Sequence, residues 1–247
     1  MPCYMENQVK IQMLTLDVDM FGVQSEVHPT LIWDQTGATL VDAGFPGQFE
    51  QLMQAVTKAG VPFTQIKRVI ITHQDWDHIG TLPAIAATNN EVKIYAHSNE
   101  KPYLEGTIPY LKMTPEKIAV RVQSLPEEMR AKAAAIFESI PTFSIDQVLA
   151  DGDKLPFHEI EIIHTPGHTP GHVCLYVKSH RLLVAGDQLR IENDCLVGPA
   201  EIYTPDMPTA LQSLKKLVAY DIEHVICYHG GMYGPKASIR IAELANT

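Results

Sequence analysis

The chain has 247 residues, 45% of them hydrophobic and 19% charged, which fits a soluble globular enzyme with one sizeable core. A formal net charge of −10 without any basic face speaks against a nucleic-acid partner, and the longest apolar runs, Ile118–Val120 and Leu182–Ala185, are far too short to span a bilayer. The N-terminus lacks the basic start and apolar stretch of a secretory signal, and the four irregularly spaced cysteines (Cys3, Cys174, Cys195, Cys227) form no CxxC pair, so a cytoplasmic protein with reduced, mostly buried thiols is expected.

Lys10 to Val18 alternates loosely between apolar and polar residues and reads as a strand. Thr30–Trp33 and Ala38–Val41 are short β-rich runs with Gly37 at the hairpin turn between them, and Asp42-Ala43-Gly44 ends the second in a sharp turn. Phe49–Ala59 places Leu52, Val56 and Ala59 at three- and four-residue intervals, which predicts a helix stopped by Gly60. Val69–Ile71 is a buried strand leading into Thr72-His73, followed by a helix over Leu82–Ala87 and a strand over Val92–Tyr95. This β-α-β-α alternation predicts a layered αβ fold.

Residues 98–145 change character. Helix formers predominate, broken by Pro102, Pro109, Pro115, Pro126 and Pro141, and Glu127–Ile140 predicts a helix with Met129, Ala133, Ile136 and Ile140 along one face. The segment reads as a helical insertion within one domain, because it is short and flanked by core strands. Strands then return at Val148–Ala150, Ile160–Ile163, Val173–Val177 and Leu182–Ala185. Thr209–Tyr220 predicts an amphipathic helix burying Leu211, Leu214, Leu217 and Val218, with Lys215 and Lys216 on its wet side. A strand at Val225–Cys227, in which Cys227 packs inside, and a closing helix over Ala237–Ala245 complete the pattern.

The chemistry-bearing residues gather at strand ends. His73-Gln74-Asp75-Trp76-Asp77-His78 puts four potential metal ligands into six residues directly after a buried strand, where a loop reaches the rim of a sheet. A polar turn capping the next helix would need only one of them. In His164-Thr-Pro-Gly-His168-Thr-Pro-Gly-His172 the histidines recur every four residues, but the prolines and glycines forbid a helix, so this is a rigid loop that presents one His outward. His172, and with less force His164, reads as a hydrogen-bonded structural residue. Asp187 follows the apolar run Leu183–Ala185 and His229 follows Val225–Cys227, each at the rim. His28, His97, His158, His180 and His224 lack companion ligands and read as surface or hydrogen-bonded residues.

This combination resembles the metallo-β-lactamase superfamily along most of the chain. The family's signature is a His-x-His-x-Asp-His loop, a later His, a bridging Asp and a last His. His73, Asp77 and His78 match the loop, His168 the later His, Asp187 the bridging Asp and His229 the last His; the Thr-Pro-Gly-His-Thr-x-Gly-His stretch is similar to the glyoxalase-II-like and lactonase-like branches. Asp42, in Leu-Val-Asp-Ala-Gly, matches an early Asp that orients the first loop from behind the ligands. The resemblance implies a four-layer αβ/βα sandwich with the site along one edge. One residue departs: Asp75 stands where the family has its second His. The implied first site is then His73, Asp75 and His168, and the second Asp77, His78 and His229, with Asp187 bridging. A related diiron branch places a carboxylate at the same position.

Two divalent metal ions are therefore expected, zinc first, with iron or manganese raised by the harder oxygen donor of Asp75. A metal-activated hydroxide attacking a small ester, lactone or thioester is the expected chemistry, with Asp77 orienting it and His172 behind the ligands. An iron-dependent oxidoreductase of diiron or persulfide-dioxygenase type, or a phosphodiesterase, is the alternative. Trp76, Phe45 and Tyr203 are candidate substrate contacts, with Phe21, Tyr103 and Tyr110 as further candidates, and the insertion is expected to roof part of the cleft. The partner is a small molecule, with neither nucleic acid nor membrane.

Overall fold

The protein is described from a computed structural model over residues 8–20, 23–138 and 140–246. In chain order the elements are β1 (Lys10–Met13), β2 (Leu16–Met20), β3 (Val23–Val27), β4 (Thr30–Asp34), β5 (Gly37–Val41), α1 (Phe49–Lys58), β6 (Ile66–Ile71), α2 (Trp76–Ile79), α3 (Leu82–Thr88) and β7 (Lys93–His97). Then come α4 (Lys101–Leu104), α5 (Pro115–Ser124), α6 (Glu127–Glu138), β8 (Gln147–Leu149), β9 (Ile160–His164), β10 (Val173–Val177), β11 (Leu182–Val184), β12 (Arg190–Glu192) and β13 (Cys195–Val197). The last elements are α7 (Met207–Leu217), β14 (His224–Cys227), β15 (Gly231–Tyr233) and α8 (Ala237–Ala245).

Two mixed sheets carry the fold. The first has six strands in the order β1-β4-β5-β6-β7-β8, and the second five in the order β15-β14-β11-β10-β9. Side chains alternate across each sheet and so build three separate cores. Ile32, Val41 and Ile70 of the first sheet meet Ile162, Leu175, Val184 and Ile226 of the second in the central core. On the far side of the first sheet, Leu31, Leu40, Val69 and Ile71 pack against Leu52 and Val56 of α1, Ile85 of α3 and Ala133 and Phe137 of α6. On the far side of the second, Cys174, Leu183 and Val225 pack against Leu214 and Leu217 of α7 and Ile241 of α8. Helix, sheet, sheet and helix are thus stacked in four layers, which is the predicted αβ/βα sandwich.

Several boundaries differ from the sequence reading. The Lys10–Val18 run breaks at Leu14-Thr15, because β1 pairs with β4 while β2 turns away to pair with β3. Gly37 opens β5 instead of forming the turn, which falls on Gln35-Thr36. In α7 the buried stripe is Ala210, Ser213, Leu214 and Leu217, while Leu211 (38% exposed) and Val218 (49%) face outward. This helix starts at Met207, where Asp206 caps it by accepting from Thr209 N at 3.1 Å, and Leu211 and Val218 lie seven residues apart on the flank of the stripe. The helix predicted over Glu127–Ile140 ends at Glu138, and Phe137 rather than Ile140 completes its buried face. α5, the β12–β13 hairpin and β15 were not distinguishable in the sequence. Cys174 and Cys227 are buried free thiols as expected, whereas Cys195 is exposed on β13; Cys3 and Phe21 lie outside the described residues. No helix of the described residues is long and apolar enough to cross a membrane.

Candidate metal centre

The strand ends of both sheets meet at one edge, where Val173 N donates to Thr72 O at 3.1 Å and ties β10 to the end of β6. From there β6 runs through Thr72 into His73 and on to Asp75. Asp75 occupies the N-cap position of α2 but makes no side-chain cap hydrogen bond, so its carboxylate is free to face the cleft. Asp77 and His78 lie in the single turn of α2, the loop between β9 and β10 supplies His168, Asp187 follows β11, and His229 follows β14.

Two donor groups result. Ligand atoms of His73, Asp75, His168 and Asp187 all lie within 4.8 Å of one another, and so do those of Asp77, His78 and His229. Asp187 touches both groups: its Oδ2 is 3.3 Å from His168 Nε2 and 3.5 Å from His229 Nε2, and its Oδ1 is 3.3 Å from His78 Nε2. All seven residues nominated as ligands therefore converge. Within this cluster His73 Nε2, His78 Nε2 and Asp187 Oδ1 are buried without a hydrogen-bond partner. Buried polar atoms without a well-directed hydrogen bond are costly, and imidazole and carboxylate groups at this spacing fit divalent cations.

Hydrogen bonds behind the donors set their direction. Asp42 accepts from Thr72 N (2.9 Å), from Thr72 Oγ1 (2.8 Å) and from His78 Nδ1 (2.9 Å). Because the Thr72 hydroxyl is committed to Asp42, it accepts from His73 Nδ1 at 2.9 Å. Both imidazoles thereby turn Nε2 into the cleft. His172, held neutral by burial well below its ordinary pKa, accepts from Asp187 N at 3.0 Å and faces Thr165 Oγ1 at 2.8 Å. Gly186 adopts φ 51°, and a Cβ there would lie 2.7 Å from His172 Nε2, so a side chain would disturb the contact that places Asp187. His164 is structural too: its Nε2 faces Pro170 O at 3.0 Å and its ring stacks on His97 at 3.9 Å.

Four further residues at the centre escaped the sequence reading. Glu100 is fully buried and accepts from Gln74 N and Nε2 (both 2.9 Å) and from Gly171 N (2.6 Å), bracing the His73 loop against the His168 loop. Tyr228 donates to Asp77 O at 2.5 Å and stacks on His78 at 3.8 Å between centroids. Gln74 accepts from Leu111 N at 2.7 Å and so clamps the helical insertion onto the first loop. Lys112, one residue on, sends its ammonium into the first donor group, 2.6 Å from Asp75 Oδ2 and 2.7 Å from His168 Nε2. A lone lysine in a loop carries no motif, so nothing in the sequence pointed to it.

A cavity of about 350 Å³ opens beside the donors, lined by Phe45, Trp76, Lys112, Met113, Arg121 and Tyr203 together with Asp75, Asp77, Asp187 and His229. Phe45, Trp76 and Tyr203 are thus among its lining residues, and Trp76 packs edge-on against both Phe45 and Phe137 at 5.0 Å. Tyr103 and Tyr110 do not line it. Tyr110 is buried in the core, with its hydroxyl donating to Pro141 O at 2.6 Å, and Tyr103 packs against the same core.

Charge is tightly balanced across the groups. Burial, and then the neighbouring His78, push His73 down to about 4. Burial also disfavours charge on His229, but the Asp187 and Asp77 carboxylates outweigh it and hold that imidazole up at about 10. Burial would raise Asp75 and Asp187 too; the Lys112 ammonium beside Asp75, and His229 and His78 around Asp187, hold both carboxyls well below their usual range.

Residues 24–229 match the model of the Metallo-beta-lactamase superfamily, and the chain belongs to that superfamily. Over 226 residues it is 34% identical to the "Probable metallo-hydrolase YflN" of Bacillus subtilis (strain 168), covering 84% of this chain and 81% of that protein. It is 24% identical over 223 residues to the hydroxyacylglutathione hydrolase of Rhizobium meliloti (strain 1021), covering 90% of this chain and 68% of that protein. Among solved structures, the metallo-beta-lactamase family protein TTHA1429 from Thermus thermophilus shares the fold with a TM-score of 0.71 at 21% identity, over 96% of this chain and 78% of that one. Family and donor groups together define a metallo-hydrolase with two candidate metal positions.

Proposed function

We propose that the protein hydrolyses a small ester, lactone or thioester with divalent metal ions held between His73, Asp75 and His168 and between Asp77, His78 and His229, with Asp187 shared by both positions. The observation that carries this reading is the convergence of these seven side chains at one sheet edge, with His73 Nε2, His78 Nε2 and Asp187 Oδ1 buried and without a well-directed hydrogen bond. Zinc suits the four imidazoles, and the three carboxylates also suit iron and manganese. A bound ion of this kind supplies Lewis acidity and lowers the pKa of water from about 16 toward about 7.

The chain's own residues do the rest. Asp77 has its pKa lowered: burial opposes ionisation, but His78 and His229 outweigh it, so the carboxylate is an acceptor at neutral pH and can orient a water. Its main chain is pinned by Tyr228. Phe45, Trp76, Met113 and Tyr203 give the cavity an apolar wall suited to the body of a small acyl compound. The Arg121 guanidinium meets Met113 Sδ at 3.3 Å and makes no ion pair among the described residues, which leaves it free for an anionic end of the substrate. An acylglutathione, the compound class in the name of the Rhizobium meliloti relative, is a thioester with carboxylates.

The test is metal analysis of protein purified without chelator, followed by a panel of thioesters, lactones, phosphodiesters and β-lactams. Hydrolysis of an ester, lactone or thioester that disappears on metal removal and returns on reloading is the expected result. Undiminished turnover in metal-free protein ends the proposal, and iron content with dioxygen uptake but no hydrolysis moves it to oxidation chemistry.

A further inference from the structure

The helical insertion does more than roof the cleft, because it places a cation inside the first donor group. The Lys112 side chain is only 10% exposed, and its Nζ donates to Asp75 Oδ2 at 2.6 Å and to His168 Nε2 at 2.7 Å. The tautomer of His168 follows from its other nitrogen. The Thr204 hydroxyl donates to Ala200 O at 2.8 Å, so it accepts from His168 Nδ1 at 3.3 Å, and Nε2 keeps the ring's one free lone pair. That lone pair is the one a metal ion at the first position would need; the ammonium is its nearest neighbour at 2.7 Å, with Asp75 Oδ2 at 3.1 Å and Asp187 Oδ2 at 3.3 Å beside it. The backbone that carries Lys112 is fixed as well: Leu111 N donates to Gln74 Oε1 at 2.7 Å, Lys117 Nζ donates to Leu111 O at 2.8 Å, and Gln74 is itself held by Glu100.

We infer that Lys112 is a built-in competitor for the first metal position, so that an ion enters the Asp77, His78 and His229 group first and reaches the His73, Asp75 and His168 group only when the ammonium leaves it. The second group holds no lysine: its donors face one another, with His78 Nε2 3.3 Å from Asp187 Oδ1 and His229 Nε2 3.3 Å from Asp77 Oδ2, so an ion entering there displaces protons but no side chain. A single lone pair cannot serve an N–H and a metal ion together, and two cations in one desolvated pocket repel. The exchange needs only side-chain rotation, since Lys112 also borders the open cavity and can carry its charge there, toward bound substrate. This inference rests on reading both groups as metal positions.

The experiment titrates metal-free protein with Zn²⁺ against a chromophoric chelator, and in parallel with Co²⁺ followed by visible absorption. In the wild type the first equivalent is expected to bind at least 100-fold more tightly than the second. Lys112→Met and Lys112→Gln are expected to tighten the second equivalent tenfold or more while leaving the affinity and Co²⁺ spectrum of the first unchanged, with thermal melts confirming that both variants fold. Should neither fold, ¹⁵N spectra of the wild-type imidazoles decide: His168 Nε2 holds its shift through the first equivalent of Zn²⁺ and moves with the second. Equal affinity of the two equivalents in the wild type, a second equivalent unmoved by both substitutions, or a His168 shift that moves with the first equivalent overturns the inference while leaving the metal reading standing. Failure of Zn²⁺ and Co²⁺ to bind at all overturns the metal reading and this inference with it.

Discussion

The hydroxyl of Tyr228 donates to the main-chain oxygen of Asp77 at 2.5 Å, joining the end of β14 to the short helix that carries two of the metal-facing side chains. The same hydroxyl oxygen accepts from Gly44 N at 3.1 Å, and the ring stacks on His78. A four-residue helix has too few internal hydrogen bonds to hold its own direction, so it is held from outside, by this tie to the second sheet together with Ala43 N donating to His78 O at 2.7 Å and Asp42 accepting from His78 Nδ1. Tyr228→Phe keeps the ring and removes both hydrogen bonds, leaving Gly44 N and Asp77 O buried without that partner. The expected cost is about 1–3 kcal/mol, seen as a lower Tm, together with weaker binding at the Asp77, His78 and His229 group in a Zn²⁺ titration. An unchanged Tm would show that α2 is held by other contacts.

What was legible in the sequence was the part fixed by local pattern. Val69–Ile71, Leu183–Ala185 and Val225–Cys227 are short apolar runs each followed, one residue further on, by a His or Asp, and a donor so close behind a strand lies at a rim whatever the details of the sheet. Asp42 came instead from the family resemblance, since by pattern alone it only ended a strand in a sharp turn. Glu100, Tyr228 and Lys112 were illegible for the opposite reason: their roles come from partners 26 to 151 residues away in the chain, such as Gln74 for Glu100 and Asp77 for Tyr228. Local pattern also misjudged the flank of α7, where Leu211 and Val218 are apolar but point outward.

Asp42 is the shared acceptor behind two metal-facing imidazoles, directly for His78 and through Thr72 for His73. Asp42→Asn keeps the shape but loses the charge that fixes the His78 tautomer. Metal affinity is expected to fall about 10- to 100-fold, as for other partners that orient metal-bound histidines. The readout is competition with a chelator, and it separates this role from a purely structural one because Thr72 N retains an acceptor in the variant. Affinity equal to that of the wild type would remove Asp42 from the metal centre.

Glu100 satisfies three N–H groups from the two ligand-bearing loops while fully buried. Glu100→Ala leaves all of them without that acceptor, and a loss of about 3 kcal/mol or more in urea unfolding is expected. Glu100→Gln retains one acceptor oxygen and is expected to recover part of the loss, which distinguishes lost hydrogen bonds from a lost packing contact.

His97 gives the fold a pH dependence that does not involve the donors. Burial, and then the stacked ring of His164, push it down to about 4 from the ordinary 6.5, and its Nδ1 accepts from Asn99 N at 3.2 Å only while unprotonated. The unfolded chain binds the proton first, so the stability conferred by the neutral ring is complete above pH 6.5 and is lost as pH falls toward 4. Allowing for solvent around a partly buried ring, the contribution is about 1 kcal/mol. His97→Gln is expected to reduce the drop in urea midpoint between pH 7 and pH 4.5 relative to wild type; an identical drop in both would contradict this.

Metal loading must itself release protons. Without ions, His229 holds its proton up to about 10 because the Asp187 and Asp77 carboxylates overcome the opposing effect of burial, and His78 is likewise raised, by Asp42 and Asp77 against burial. Each imidazole has to give up the proton on the nitrogen that turns toward a metal ion, so affinity rises as pH increases, by about tenfold per pH unit for each proton displaced, until the folded pKa is passed. Titration calorimetry in two buffers of different ionisation enthalpy measures the number directly. At pH 7 about one proton from His229, and a further one from His78, are expected to leave as the Asp77, His78 and His229 group fills. An observed heat independent of the buffer would mean that these imidazoles are already neutral, and that the carboxylates around them are balanced by something other than His78 and His229.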